Sequence, residues 1–123
     1  PNEPHRFGYV VEIDPADPTS TPVKRTALGR IKHENAAAVL APDGRVVVYM
    51  GDDERGEFLY RYVSRDAYVP GGDTSTLLDE GQLSVARFDT DGTGEWVALT
   101  PEATGMDRPM IHIHTRQAAS AVE

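Results

Sequence analysis

The sequence predicts an all-β, mainly antiparallel fold, and three observations carry that reading. Residues 46–49 (Val-Val-Val-Tyr) form a β-branched and aromatic run, opened by an Asp43-Gly44 turn and closed by Gly51. Residues 58–64 alternate Phe58, Tyr60 and Tyr62 with Leu59, Arg61 and Val63, so one aromatic face should pack inward. Residues 82–89 alternate again, and the αL-tolerant stretch 89–94 (Asp-Thr-Asp-Gly-Thr-Gly) turns them back into residues 95–99.

In chain order, residues 7–14 read as the first strand, with Tyr9, Val11 and Ile13 on one face. Pro15, Pro18 and Pro22 then forbid regular structure, because each removes a backbone donor and pushes its predecessor toward extended geometry. Residues 23–28 resume as a short polar strand of edge character, ended by Gly29. Residues 36–40 (Ala-Ala-Ala-Val-Leu) suit helix by intrinsic propensity. Their shortness and the Pro42-Asp43-Gly44 turn favour a strand, antiparallel to residues 46–50. Residues 65–81 read as a long connection of the kind that is functional or mobile. Pro101 stops the last strand, residues 104–109 read as irregular, and residues 115–123 read as a short C-terminal helix capped by Thr115. Residues 9–28 and 83–99 share a pattern of strand, Asp-rich turn, strand. That recurrence suggests about one to two blades of a β-propeller.

Bulk properties narrow the function. A length of 123 residues allows one domain, read here as a single incomplete propeller-like unit spanning residues 1–123. Hydrophobic residues make up 39 % and mean hydropathy is -0.44, low for a self-sufficient globule. A net charge of -8 argues against a nucleic-acid partner, because an acidic surface repels phosphate backbones. The absence of cysteine excludes a disulfide framework and a thiolate metal site within the chain. No run approaches the ~20 apolar residues of a membrane-spanning helix. The opening at Pro1 reads as a start in mid-protein or after processing.

Oxygen and nitrogen donors flank the central hairpin. Asp52, Asp53 and Glu54 follow the 46–49 strand directly, and carboxylates at a strand end suit a hard cation such as Ca²⁺. The same triplet suits a solvated turn, and its spacing is not that of an EF-hand loop. His33-Glu34-Asn35 precedes the 36–40 strand, where Glu34 could ligate a metal or act as a base, with His33 beside it. His112 and His114, at period 2, could chelate a transition metal only with a third ligand. Arg108 could grip a phosphate bidentately. No nucleophile elbow, phosphate-binding Gly-rich loop or HExxH motif is present.

Five segments taken together resemble the PhoX-type bacterial alkaline phosphatases. These are F-G-Y-V-V-E-I-D-P, T-A-L-G-R-I-K-H-E-N-A, the ungapped block from Gly44 to Ser64, L-L-D-E-G-Q-L-S-V-A-R-F-D-T-D-G-T-G-E-W-V-A-L-T and I-H-T-R-Q-A-A. The resemblance covers nearly the whole chain in the family's order. It implies a six-bladed β-propeller exported by the twin-arginine route, and so a periplasmic or extracellular location. It also implies hydrolysis of phosphate monoesters by a calcium and iron cluster in the axial channel. Glu34, in the G-R-x-x-H-E segment, matches a family carboxylate that ligates the cluster, while Asp52 and Asp53 lie in a shared motif. The family's Met-Asp-Arg-Pro-Glu motif is altered here: Met106-Asp107-Arg108-Pro109 is followed by Met110, and it precedes the His-Thr-Arg-Gln-Ala-Ala segment instead of following it. Arg108 is therefore a phosphate-contacting candidate in a changed setting. With the family's cysteine and downstream acidic ligands absent, the chain alone is expected to be inactive and to self-associate or need the rest of the propeller. The alternative is a non-catalytic β-module with at most a calcium site.

Overall fold

A computed structural model describes residues 5–105. The central element is a five-stranded antiparallel meander in which every strand pairs with its neighbour in sequence. It comprises β3 (Ala37–Leu40), β4 (Arg45–Gly51), β5 (Leu59–Ala67), β6 (Gly81–Phe88) and β7 (Gly94–Ala98). A separate two-stranded hairpin, β1 (Val10–Glu12) with β2 (Val23–Arg25), precedes it. Both halves of the sequence recurrence thus form hairpins, but the first is short and stands outside the large sheet.

The alternation in residues 58–64 has the expected outcome. Tyr60 and Tyr62 are fully buried, with Val48, Met50 and Val85 on the same face of the sheet. Leu28, Ile31 and Leu99 close over that face and complete the core. The Asp43-Gly44 turn joins β3 to β4. Gly44 sits at φ 82°, in the left-handed region, and the Asp43 carboxylate accepts the backbone N–H of Arg45.

Four expectations need correction. Residues 26–28 do not continue the second strand. They form a 3₁₀ turn that delivers Leu28 to the core, and Arg25, expected on an exposed edge, is buried. Arg25 is accommodated because its guanidinium donates to Glu12 (2.6 Å), Asp79 (2.9 Å) and the Ser75 carbonyl (3.2 Å). The first strand, expected over residues 7–14, covers only Val10–Glu12; Val10 packs against the core, whereas Val11 and Ile13 face solvent.

β5 also outruns its sequence signal and reaches Ala67, shortening the long connection to residues 68–80. The register shifts between Arg45 and Val47. There the Ser64 hydroxyl accepts the Val46 N–H at 2.9 Å and donates to the Asp66 carbonyl at 2.6 Å, which keeps the strands paired across the irregularity. Finally, Pro101 starts a helix, α1 (Pro101–Thr104), instead of merely stopping a strand. Thr100 caps it by accepting the Ala103 N–H, and Gly105 ends it at φ 68°. The helix expected over residues 115–123 lies outside the described residues, as do Arg108, His112 and His114.

Candidate functional site at one end of the sheet

Residues 30–34 run beside the end of β4 and are tied to it by backbone hydrogen bonds. The Glu34 N–H donates to the Gly51 carbonyl at 3.3 Å, and the Asp53 N–H donates to the Lys32 carbonyl at 3.0 Å. Between these bonds His33 and Asp52 form an isolated antiparallel bridge. The Lys32 ammonium meets the Glu54 carboxylate at 2.5 Å across the same junction. Glu34 therefore reaches the same end of the sheet as the adjacent pair Asp52 and Asp53, 18 and 19 positions further along the chain. A Cβ at position 51 would meet nothing within 4 Å, so the space beside the strand end is open.

The side chains differ in role. Glu34 and Asp53 are exposed, and Asp52 is half-buried with one carboxylate oxygen accepting the Glu54 N–H at 3.1 Å. That bond makes Asp52 an organiser of the turn that follows it. His33 is half-buried, its Nε2 lying 3.1 Å from the Gly29 carbonyl. Burial pushes its pKa below the usual histidine value, and the Gly29 carbonyl and Asp52 charge oppose this without prevailing. A neutral ring donating Nε2–H to Gly29 leaves Nδ1 as a lone pair, and that buried atom has no hydrogen-bond partner among the described residues.

The donor set does not fit a complete metal cluster. Among the described residues no three His, Asp or Glu side chains converge so as to hold an ion. The backbone gathers Glu34, Asp52 and Asp53 at one end of the sheet without aiming them at a common point. Sequence reasoning passed over Arg61, a cation on the opposite face of β5 with its guanidinium carbon 4.5 Å from the Trp96 ring centroid. A charge inside an alternating apolar strand was the available signal.

An antiparallel meander with a short hairpin beside it is the class of all-β structure found as blades of a propeller. The family model for alkaline phosphatase PhoX matches residues 1–122. The chain belongs to that family. Among solved structures it is similar to "Pseudomonas fluorescens PhoX in complex with vanadate, a transition state analogue", with 51 % identity and a TM-score of 0.87. The match covers 97 % of this chain and 23 % of that one, so the chain spans less than a quarter of its solved relative. No curated protein matches. The fold is accordingly all-β and antiparallel, on the scale of one to two propeller blades.

Proposed function

We propose that this chain contributes one wall of the active site of a metal-dependent phosphate-monoester hydrolase and is inactive without the rest of the propeller. The observation that carries the reading is the family match over residues 1–122. Glu34 is the proposed metal ligand, because it is exposed at the open end of the sheet and its backbone is fixed to Gly51. Asp52 and Asp53 take second place, Asp52 because it is engaged in its own turn. Arg108 is the proposed phosphate contact, by its guanidinium chemistry and its place in the altered family motif.

Calcium and iron are the proposed metals, on the family resemblance. When bound, such ions polarise phosphoryl oxygens and activate a nucleophile. With fewer than three converging donors among the described residues, the remaining ligands have to come from elsewhere in the propeller. The proposed location is periplasmic or extracellular, and the proposed substrates are phosphate monoesters. Hydrolysis of p-nitrophenyl phosphate tests the reading. The 123-residue chain supplied with Ca²⁺ and Fe³⁺ is expected to be inactive. The Pseudomonas fluorescens relative with its matching segment exchanged for this chain is expected to turn over. A folded but inactive exchange protein would refute the reading.

A further inference from the structure

Two surface pieces of the chain meet at a buried cation. The β1–β2 hairpin stands outside the five-stranded sheet, and the connection of residues 68–80 runs from β5 to β6. The connection is fixed by contacts of its own. Leu77 is buried, and Leu78 packs against the core. The Leu77 carbonyl accepts the Tyr62 hydroxyl at 3.0 Å, and the Glu80 carbonyl accepts the Arg65 N–H at 2.8 Å.

The hairpin is held differently. Within β1 and β2, Val10 is the apolar side chain that packs against the core, while Val11 is 51 % exposed and Val23 41 %. Its root is tethered where the Gly8 carbonyl accepts the Ile31 N–H at 3.0 Å. Each strand has three residues, and a lone two-stranded hairpin is marginally stable at best in water. Apolar burial therefore gives this hairpin little stability or fixed orientation.

Arg25 supplies what burial does not. It is the cross-strand partner of Val10, so both side chains share the inward face of the hairpin. Its guanidinium donates to the Glu12 carboxylate within the hairpin at 2.6 Å. It also donates across to the connection, to the Asp79 carboxylate at 2.9 Å and the Ser75 carbonyl at 3.2 Å. A guanidinium only 7 % exposed is costly to leave unpaired, so hairpin and connection have to stay in place together for Arg25 to keep its partners.

We propose that Arg25 is a latch by which the connection holds the β1–β2 hairpin folded and oriented, and that releasing the latch melts the hairpin while the connection and the sheet stay folded. The order of dependence follows from the anchors: the connection has Leu77, Tyr62 and Arg65, whereas the hairpin depends on the connection. A change at Asp79 is thereby transmitted to strands 54 positions or more back along the chain. The latch involves neither Glu34 nor the residues bonded to it, and it operates independently of the proposed metal role.

Amide hydrogen exchange of the 123-residue chain under native conditions tests the latch, because it reads local opening strand by strand. In Arg25→Met the amides of residues 10–12 and 23–25 are expected to exchange at least roughly tenfold faster, as the loss of a hydrogen bond to a charged group implies. Those of Leu77, Asp79 and Glu80, bonded within the connection, and those of β5 and β6 are expected to keep their protection. Asp79→Ala is the second variant, since it alters an exposed partner and leaves the hairpin's own sequence intact. It too is expected to accelerate residues 10–12 and 23–25 while β5 and β6 are unchanged, and Asp79→Glu, which keeps a carboxylate, is expected to restore part of the protection. Unchanged hairpin exchange in Asp79→Ala overturns the proposal. Equal acceleration in every strand overturns it as well, since Arg25 would then act on global stability alone. So does loss of protection at Leu77 and Glu80 together with the hairpin in Arg25→Met, which would make the two pieces one unit without a mount.

Discussion

Tyr62 links the sheet to the long connection above it, since its hydroxyl donates to the Leu77 carbonyl at 3.0 Å inside the core. Burial raises its pKa well above the usual tyrosine value, with the Asp79 charge adding to the effect. A phenol that ionises more easily in the unfolded chain contributes stability that is complete below pH 10 and is lost as pH rises further. Denaturant midpoints measured across alkaline pH should fall above pH 10, and Tyr62→Phe should flatten that fall. The same substitution should cost about 1 kcal/mol at neutral pH through the lost hydrogen bond. Arg25 plays a comparable part for the β1–β2 hairpin. Burial opposes its charge, but hydrogen bonds to Glu12 and Asp79 prevail and keep its pKa above the usual value. Because both carboxylates are half-exposed, Arg25→Met should cost about 2 kcal/mol in chemical denaturation, less than breaking a fully buried pair. Equal stability of the native and substituted chains would contradict the role given to Arg25.

At the level of elements, the register of β5 against β6 depends on Gly81, which faces Ser64 at the start of β6. A Cβ there would run into the Val63 carbonyl and lie 2.6 Å from the Tyr62 ring, neither of which can yield cheaply. Gly81→Ala should therefore destabilise the chain by about 2–3 kcal/mol, or shift the pairing, seen as altered amide-exchange protection along residues 60–64. The meander itself was legible because period-2 patterning and Asp-Gly turns are local signals, as in residues 43–50 and 58–64. What escaped local reading depends on distant partners. Arg25 looked like an edge charge until Asp79, 54 positions away, provided its counterion. β5 reaches Ala67 across an irregularity that the Ser64 hydroxyl bridges and that no pattern in residues 65–67 announces. The candidate site was half legible. The acidic residues themselves stand out, but the bonds that bring Glu34 beside Gly51 and pair His33 with Asp52 belong to tertiary structure.

At the scale of the whole molecule, the chain builds a five-stranded sheet with one face closed by its own residues and the other bearing the Tyr49–Arg61–Trp96 stack. The proposed ligand Glu34 stands at a third place, the end of the sheet, separate from both faces. Among the described residues the ligand set at that end is incomplete. The direct measurement is the bound metal and turnover of the exchange protein that carries this chain in the Pseudomonas fluorescens framework, with Glu34 intact and as Glu34→Gln. The account predicts that the substitution removes bound metal and lowers p-nitrophenyl phosphate hydrolysis by at least about a hundredfold, while the fold survives. Unchanged metal content and unchanged turnover in Glu34→Gln would contradict it.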